Sequence, residues 1–467
     1  MRHTALAFAL ALGLTLPAHA QQPTRIPDAA LAQATALREA ALQDDTGWKV
    51  TESLTTEVGP RLAGSEADAR AVAWAEAKFR ELGYDKVWTE PVTFPKWVRR
   101  SESAEVLGAH AQPLRLTALG GSPGGTVEGE VVRFADLAAL QAAPAGSLAG
   151  KIAFVDYQMQ PRRDGGDYRN GGGVRWAGPS VAIGKGAIGF LMRSAGTETS
   201  RSPHTGNTGF QEGLKPIPAA ALSTIDAAQL ARLVALGPTR VRVALDCGYD
   251  GEYTSHNVIG EITGSSRPDE IVLIGGHLDS WDHGTGAIDD AAGVAITMAT
   301  GALLKPLKPA RTIRVVAFAN EEQGLWGGRA YAEKHAGDVA RHVISAESDF
   351  GAGRIYGFDS SARDLQPAAL AQIRQVLAPL GIEWMPGQGE PESDIGPMTQ
   401  RGMAWAWLGH DGTHYFDLHH NADDTLDKID PKDLAQNVAA YSVFVWLAAQ
   451  AEGGFGSAPK AEDASGD

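Results

Sequence analysis

Clusters of imidazole and carboxylate side chains recur through the second half of the chain. They are His277-Leu-Asp279, Asp289-Asp290, Glu321-Glu322, Glu347-Ser-Asp349 and a histidine-rich stretch with His410, His414, His419 and His420. These are the donors that dications of hydrolytic sites take. Two such ions sit ~3.5–4 Å apart and need one carboxylate to bridge them. Asp289 suits the bridge, since it lies between the His277 segment and a helix start and offers one oxygen to each ion. Asp290 beside it suits a helix cap. Successive residues at a strand end point in opposite directions, so Glu321 and Glu322 can divide the work. One binds metal and the other faces the attacking water as general base. Asp279 is placed to hydrogen-bond the far nitrogen of His277 and orient it.

Each cluster alone has an ordinary explanation: paired acids favour helix starts, and single histidines are commonly core or surface groups. Their relation to the predicted elements is what gives them meaning. Glu270–Gly275, Thr312–Ala319, His342–Ala346 and Met403–Leu408 read as short buried strands. Helices over Asp290–Leu304, Arg329–His335, Pro367–Leu380 and Pro431–Ala451 alternate with them. The alternation predicts an α/β fold, a mostly parallel mixed sheet sandwiched by helices. Ligands in such sheets bind beyond the carboxyl ends of the strands. The clusters follow those ends, so four strands and one loop are expected to deliver metal donors to one edge of one sheet. Upstream, residues 21–45 predict a leading helix. Residues 65–82 predict an amphipathic helix capped by Ser65, with Asp68 three positions on. Lys86–Thr93 predicts a strand. From about Glu105 to Cys247 a Gly-rich texture with short β-like runs, such as Lys151–Tyr157 and Ala187–Met192, predicts an inserted strand-rich domain.

The segments GGHLDSWDHGTGAIDDAAG, FANEEQGLWGG, SAESDFG and HHNADDT resemble the di-zinc aminopeptidase and glutamate carboxypeptidase family, as do GPRLAGSEAD near the start and SPHTG in the insert. The likeness covers nearly the whole mature chain. It implies a zinc exopeptidase fold whose insert is a protease-associated-like domain covering the site. It also implies two zinc ions per subunit (cobalt and manganese staying open), dipeptides or short peptides as substrates, and a homodimer. By the same resemblance His277, Asp289, Glu322, Asp349 and His420 are ligands. Asp289 bridges, His277 and Asp349 complete one shell, and Glu322 and His420 the other. Glu321 is then the general base that activates a metal-bridged water. His420 is chosen over His419 because the family ligand stands four residues before an acidic-Thr pair, here Asp424-Thr425. Some relatives carry Tyr at the position of His419, poised to stabilise an oxyanion; His419 either does that or supports the ligands. Asp394 matches an acidic position near the substrate side. Two other functions occur on this fold, glutaminyl-cyclase-like acyl transfer and non-catalytic binding. The insert argues against the first and the complete donor set against the second. Arg193, Arg201 and Arg354 read as surface groups rather than binders of a substrate carboxylate.

The chain has 467 residues and a formal net charge of −15, which gives no general pull on nucleic acid or on an anionic membrane. Its first 20 residues read as a cleavable signal peptide, with an apolar run Ala5–Leu16 and Ala18-His19-Ala20 before the cut. That run is short of the ~20 residues that span a bilayer. A secreted or periplasmic protein is expected. The single cysteine, Cys247, forms no intrachain disulfide and reads as a buried small side chain. The expected organisation is a signal peptide (1–20), the start of the catalytic domain (21–107), the insert (108–250), the main catalytic segment (251–452) and a disordered tail (453–467).

Overall fold

The computed structural model describes residues 23–458; the expected signal peptide lies outside them. The strands Arg267–His277, Arg311–Phe318 and His342–Glu347 form a parallel set with Arg267–His277 in the middle. Their side chains are buried on both faces. Val272 and Ile274 point into one cluster with the helix Ala292–Leu304, while Ile271 and Leu273 point into another with Tyr331 of the helix Trp326–Lys334. Burial on both faces explains the uninterrupted apolar runs that marked these strands in the sequence. The helix Ala292–Leu304 is apolar nearly all round and lies in the core beside Pro431–Gln450. Among the described residues the stretch Ala287–Leu307 alone is long and apolar enough to cross a membrane, and 89% of its most apolar window is buried inside the protein.

Two long antiparallel strands, Lys86–Val106 and Arg240–Ile262, carry the chain out to the middle segment and back. Arg240–Ile262 pairs with Arg311–Phe318 near one end and with Gly125–Phe134 near the other. A single sheet therefore runs through both halves, with parallel and antiparallel pairings in equal measure among the described residues. The middle segment is less purely strand-rich than expected. It also holds the helices Tyr168–Gly184 and Thr224–Leu236. The first was hidden because it contains Gly171, Gly172, Gly173, Gly178 and Pro179, all poor helix formers. Tertiary packing overrides that propensity: a Cβ on Gly178 would lie 2.5 Å from the ring of Phe190.

Other expectations shift. The leading helix spans Asp28–Ala41, and a second helix, Thr46–Ser53, follows beyond the expected range. The helix Glu66–Glu81 is capped as expected, Ser65 accepting from the Asp68 N–H at 3.2 Å. The strand placed at Met403–Leu408 runs over Ala406–His410 and leaves the main sheet. It pairs with Ile355–Ser360, a strand not foreseen, in a separate three-stranded sheet that also holds Glu383–Trp384. A bridge between Ser345 and Trp405, just before it, ties it to the main sheet. Residues 453–458, expected to be disordered, are packed: Phe455 is fully buried and the Ala458 N–H donates to the Gly402 carbonyl. Cys247 is buried, and burial pushes its thiol up to about 11.

Candidate metal centre

His277 ends the central strand and is fully buried. Its backbone N–H donates to Asp290 Oδ2 at 3.0 Å, and its Nδ1–H donates to the main-chain carbonyl of Asp279 at 3.0 Å. The ring is thereby fixed with Nε2 facing Asp289 Oδ1 at 2.9 Å and Asp349 Oδ1 at 3.2 Å. The orienting group is the Asp279 carbonyl, not its carboxylate as expected. That carboxylate lies 3.6 Å from Nδ1 and instead accepts the Glu321 N–H at 3.0 Å.

Asp289 sits in the turn Ala287–Ala291, and its peptide bond to Asp290 is cis. The turn is held from two sides. Asp424 Oδ1 accepts from the Ala287 and Ile288 N–H groups at 2.8 and 2.7 Å. Arg61, fully buried, donates to the carbonyls of Leu278, Thr285 and Gly286 at 2.5, 2.6 and 2.9 Å. Asp290 acts as the expected cap, accepting the Gly293 N–H at 3.0 Å. Gly293 permits this closeness, since a Cβ there would lie 1.9 Å from the Ser348 carbonyl oxygen.

The other donors arrive from the end of Arg311–Phe318 and from the loop after Ala406–His410. Asn320, in the left-handed region at φ 51°, turns the chain into Glu321-Glu322; Asn tolerates that conformation better than most residues. Glu322 Oε2 meets His420 Nε2 at 2.8 Å and accepts from Trp281 Nε1–H at 2.7 Å. His420 Nε2 also lies 3.3 Å from Asp289 Oδ2. One carboxylate, Asp289, therefore turns one oxygen to His277 and the other to His420. The His419 ring stacks on the His420 ring with centroids 3.4 Å apart, and its Nε2 is 3.7 Å from Asp289 Oδ2. Both histidines approach Asp289, whereas His420 is the one paired with Glu322.

Burial pulls the His277 pKa down, but Asp349, Asp279 and Asp289 win and hold it well above the imidazole range. Burial likewise opposes charge on His420, yet Glu322 and Asp289 raise it to about 9. His419 goes the other way: burial, with His420 beside it, keeps it neutral. Burial and then the Asp349 charge push Glu321 well above the carboxylate range. Among the described residues no Lys or Arg nitrogen lies within 4.0 Å of the carboxylates of Asp289, Glu322 or Asp349; their close cations are imidazoles. Asp289 Oδ2 and Glu322 Oε1 are buried without a hydrogen bond. Orphaned carboxylate oxygens in a dry site are costly unless a cation meets them. The donors gather round Asp289, in one group with His277 and Asp349 and in another with His419 and His420, Glu322 meeting His420; donors of these types fit a dication.

Asp394 is buried within reach of the charges of His277, Asp279 and Asp349. Its Oδ1 accepts the Gly328 N–H at 2.8 Å in the first turn of Trp326–Lys334. Arg193, Arg201 and Arg354 are engaged with Asp156, Asp226 and Asp433. The sequence reasoning missed Arg61, Trp281 and Asp424, which hold the ligand loops. All three lay inside the family-like segments, Asp424 in the acidic-Thr pair that located His420, but nothing in a linear pattern shows which carbonyl, N–H or carboxylate a side chain will reach.

Residues 257–445 match the pattern of Peptidase family M28. The chain is 33% identical over 411 residues to carboxypeptidase Q of Homo sapiens, covering 85% of this chain and 84% of that one. The structure of a peptidase M28 precursor from Shewanella amazonensis superposes with a TM-score of 0.87 at 46% identity, over 90% of this chain and 96% of the other. A zinc aminopeptidase from Bacillus subtilis shares the fold, with a TM-score of 0.63 at 20% identity over 86% and 94% of the two chains. Relatives of this similarity and a buried donor set of this composition lead to one assignment: the chain belongs to peptidase family M28 and is a metallopeptidase.

Proposed function

We propose that this metallopeptidase is an exported exopeptidase that hydrolyses dipeptides or short peptides with two zinc ions, Glu321 being its general base. One observation carries the reading: Asp289 presents Oδ1 to His277, whose Nε2 also meets Asp349, and Oδ2 to His420, the disposition of a bridging ligand. Zinc is the metal that suits mixed imidazole and carboxylate donors, and it is named for the Bacillus subtilis relative. When bound, a zinc pair acidifies a shared water and polarises the scissile carbonyl. The chain's own residues do the rest. The Asp279 carboxylate fixes the Glu321 backbone through its N–H, which aims the Glu321 side chain. Glu321 receives the proton of the attacking water and passes it to the leaving amine nitrogen. A carboxylate whose proton affinity is raised by burial is suited to that shuttle. His419, neutral and beside Asp289, offers a ring N–H to the oxyanion.

The test is a panel of dipeptides, free and blocked at either end, digested with metal-stripped and zinc-restored protein. Zinc-dependent release of free amino acids is the expected result, and the blocked peptides report which terminus is recognised. A Gln-initiated peptide in the panel separates hydrolysis from cyclising acyl transfer. Equal cleavage by stripped and restored protein would refute the reading.

A further inference from the structure

We infer that His204, in the SPHTG segment of the insert, is a positioning residue that holds the His419-His420 pair in its ligating geometry. This rests on the zinc reading above and assigns a task to a residue far outside the catalytic segment. His420 has φ 64°, in the left-handed region. A non-glycine residue there is strained and persists only when its surroundings enforce it. The enforcement comes from residues 204–205. His204, 1% exposed, directs Nδ1 at the His419 carbonyl at 2.6 Å; a carbonyl only accepts, so Nδ1 is the donor. The adjacent Thr205 N–H donates to the His420 carbonyl at 3.1 Å, and the Thr205 carbonyl lies 3.4 Å from His420 Nδ1. Both carbonyls of the pair, and the ring nitrogen of His420 that faces away from Glu322, are thus met by one two-residue stretch. His204 is itself anchored, its N–H donating to Ser194 Oγ at 2.8 Å and its Nε2 2.8 Å from Glu198 Oε2.

Mere attachment of the insert would need only some contact at this seam. Capture of the two carbonyls that flank a strained ligand is more particular, because it sets where His420 Nε2 points. Groups that orient metal ligands in this way are worth about 10–100-fold in metal affinity. The chemistry also separates two conservative replacements. The amide nitrogen of Asn occupies the place of Nδ1, whereas that of Gln occupies the place of Nε2. His204→Asn retains the donor to the His419 carbonyl, and His204→Gln does not.

The experiment is a zinc titration against a competing chromogenic chelator, run on full-length wild type, His204→Ala, His204→Asn and His204→Gln, with melting temperatures alongside. In His204→Ala one of the two zinc ions should bind about 10–100-fold more weakly, while the ion on the His277 and Asp349 side keeps its affinity. His204→Asn should recover most of the loss and His204→Gln little. Zinc affinities within twofold of wild type in His204→Ala, whatever its melting temperature, would overturn the proposal. So would equal recovery by Asn and Gln, a comparison that decides the matter even if the Ala variant does not fold. Wild-type protein that takes up no zinc would instead sink the metal reading, and this proposal with it.

Discussion

Arg61→Met is the substitution whose cost follows most directly from the structure. Met keeps an unbranched side chain in the same space and removes every donor. Arg61 is fully buried and makes three short bonds to the carbonyls of Leu278, Thr285 and Gly286; a fourth contact, 3.4 Å to the Gly59 carbonyl, is too long to count for much. Each buried acceptor left without a donor costs roughly 1–3 kcal/mol; the Gly286 carbonyl keeps the Ala291 N–H, so the Leu278 and Thr285 carbonyls together cost about 2–6 kcal/mol. Relief of the guanidinium's own desolvation offsets part of that, and losing the positive charge near Asp424 and Asp279 adds to it. A net loss of about 3–5 kcal/mol is expected, the range for breaking a buried charged network by removing one partner. Domains are stable by about 5–15 kcal/mol, so the variant should fold but unfold at clearly lower urea. Urea denaturation of metal-free protein measures this without interference from zinc. Arg61→Lys, which keeps the charge and fewer donors, should fall between. A Met variant within about 1 kcal/mol of wild type would refute the reasoning, since it would mean the Leu278 and Thr285 carbonyls find other partners.

Glu321→Gln should lower kcat by about 10²–10⁴-fold while zinc stoichiometry, read by atomic absorption, stays at the wild-type value. Trp281→Phe removes the 2.7 Å bond to Glu322 Oε2 but keeps an aromatic ring edge-on to Trp97. The loss of one charge-assisted bond, about 1.5–3 kcal/mol, should weaken zinc binding by roughly one to two decades, measurable by chelator competition. Asp289→Asn should strip affinity from both ions together, where His277→Ala weakens chiefly one; equal, single-ion effects in the two variants would count against a bridging Asp289.

The fold's central strands were legible because burial on both faces writes them as short apolar runs, as in Ile271–Ile274. The positions of His277, Glu321-Glu322 and Asp349 were legible for a related reason: each follows such a run, and strand ends in an α/β sheet converge, whereas Asp289 stands in a turn and His420 follows a strand of the second sheet. The Gly-rich helix Tyr168–Gly184 was not, since its packing against Met159 and Phe190 demands glycines that local propensity reads as loop. The move of Ala406–His410 to a second sheet was not legible either, because its partner Ile355–Ser360 is too short to show a period. Asp279 was placed in the right neighbourhood with the wrong atom, its carbonyl rather than its carboxylate reaching His277. Sequence spacing locates a residue but leaves main chain and side chain equally available to a neighbour.

The crossing between the two halves of the molecule has a mechanical consequence. Lys86–Val106 and Arg240–Ile262 remain laddered to each other along almost their full length, with only two irregularities, near Pro95 and Arg99. Swinging the outer half away from the metal centre would shear that ribbon, at about 0.5–1.5 kcal/mol net for each backbone bond broken. On the proposed reading, peptides would enter by local give in side chains and short loops along the seam, a route that favours chain ends over the middle of a folded protein.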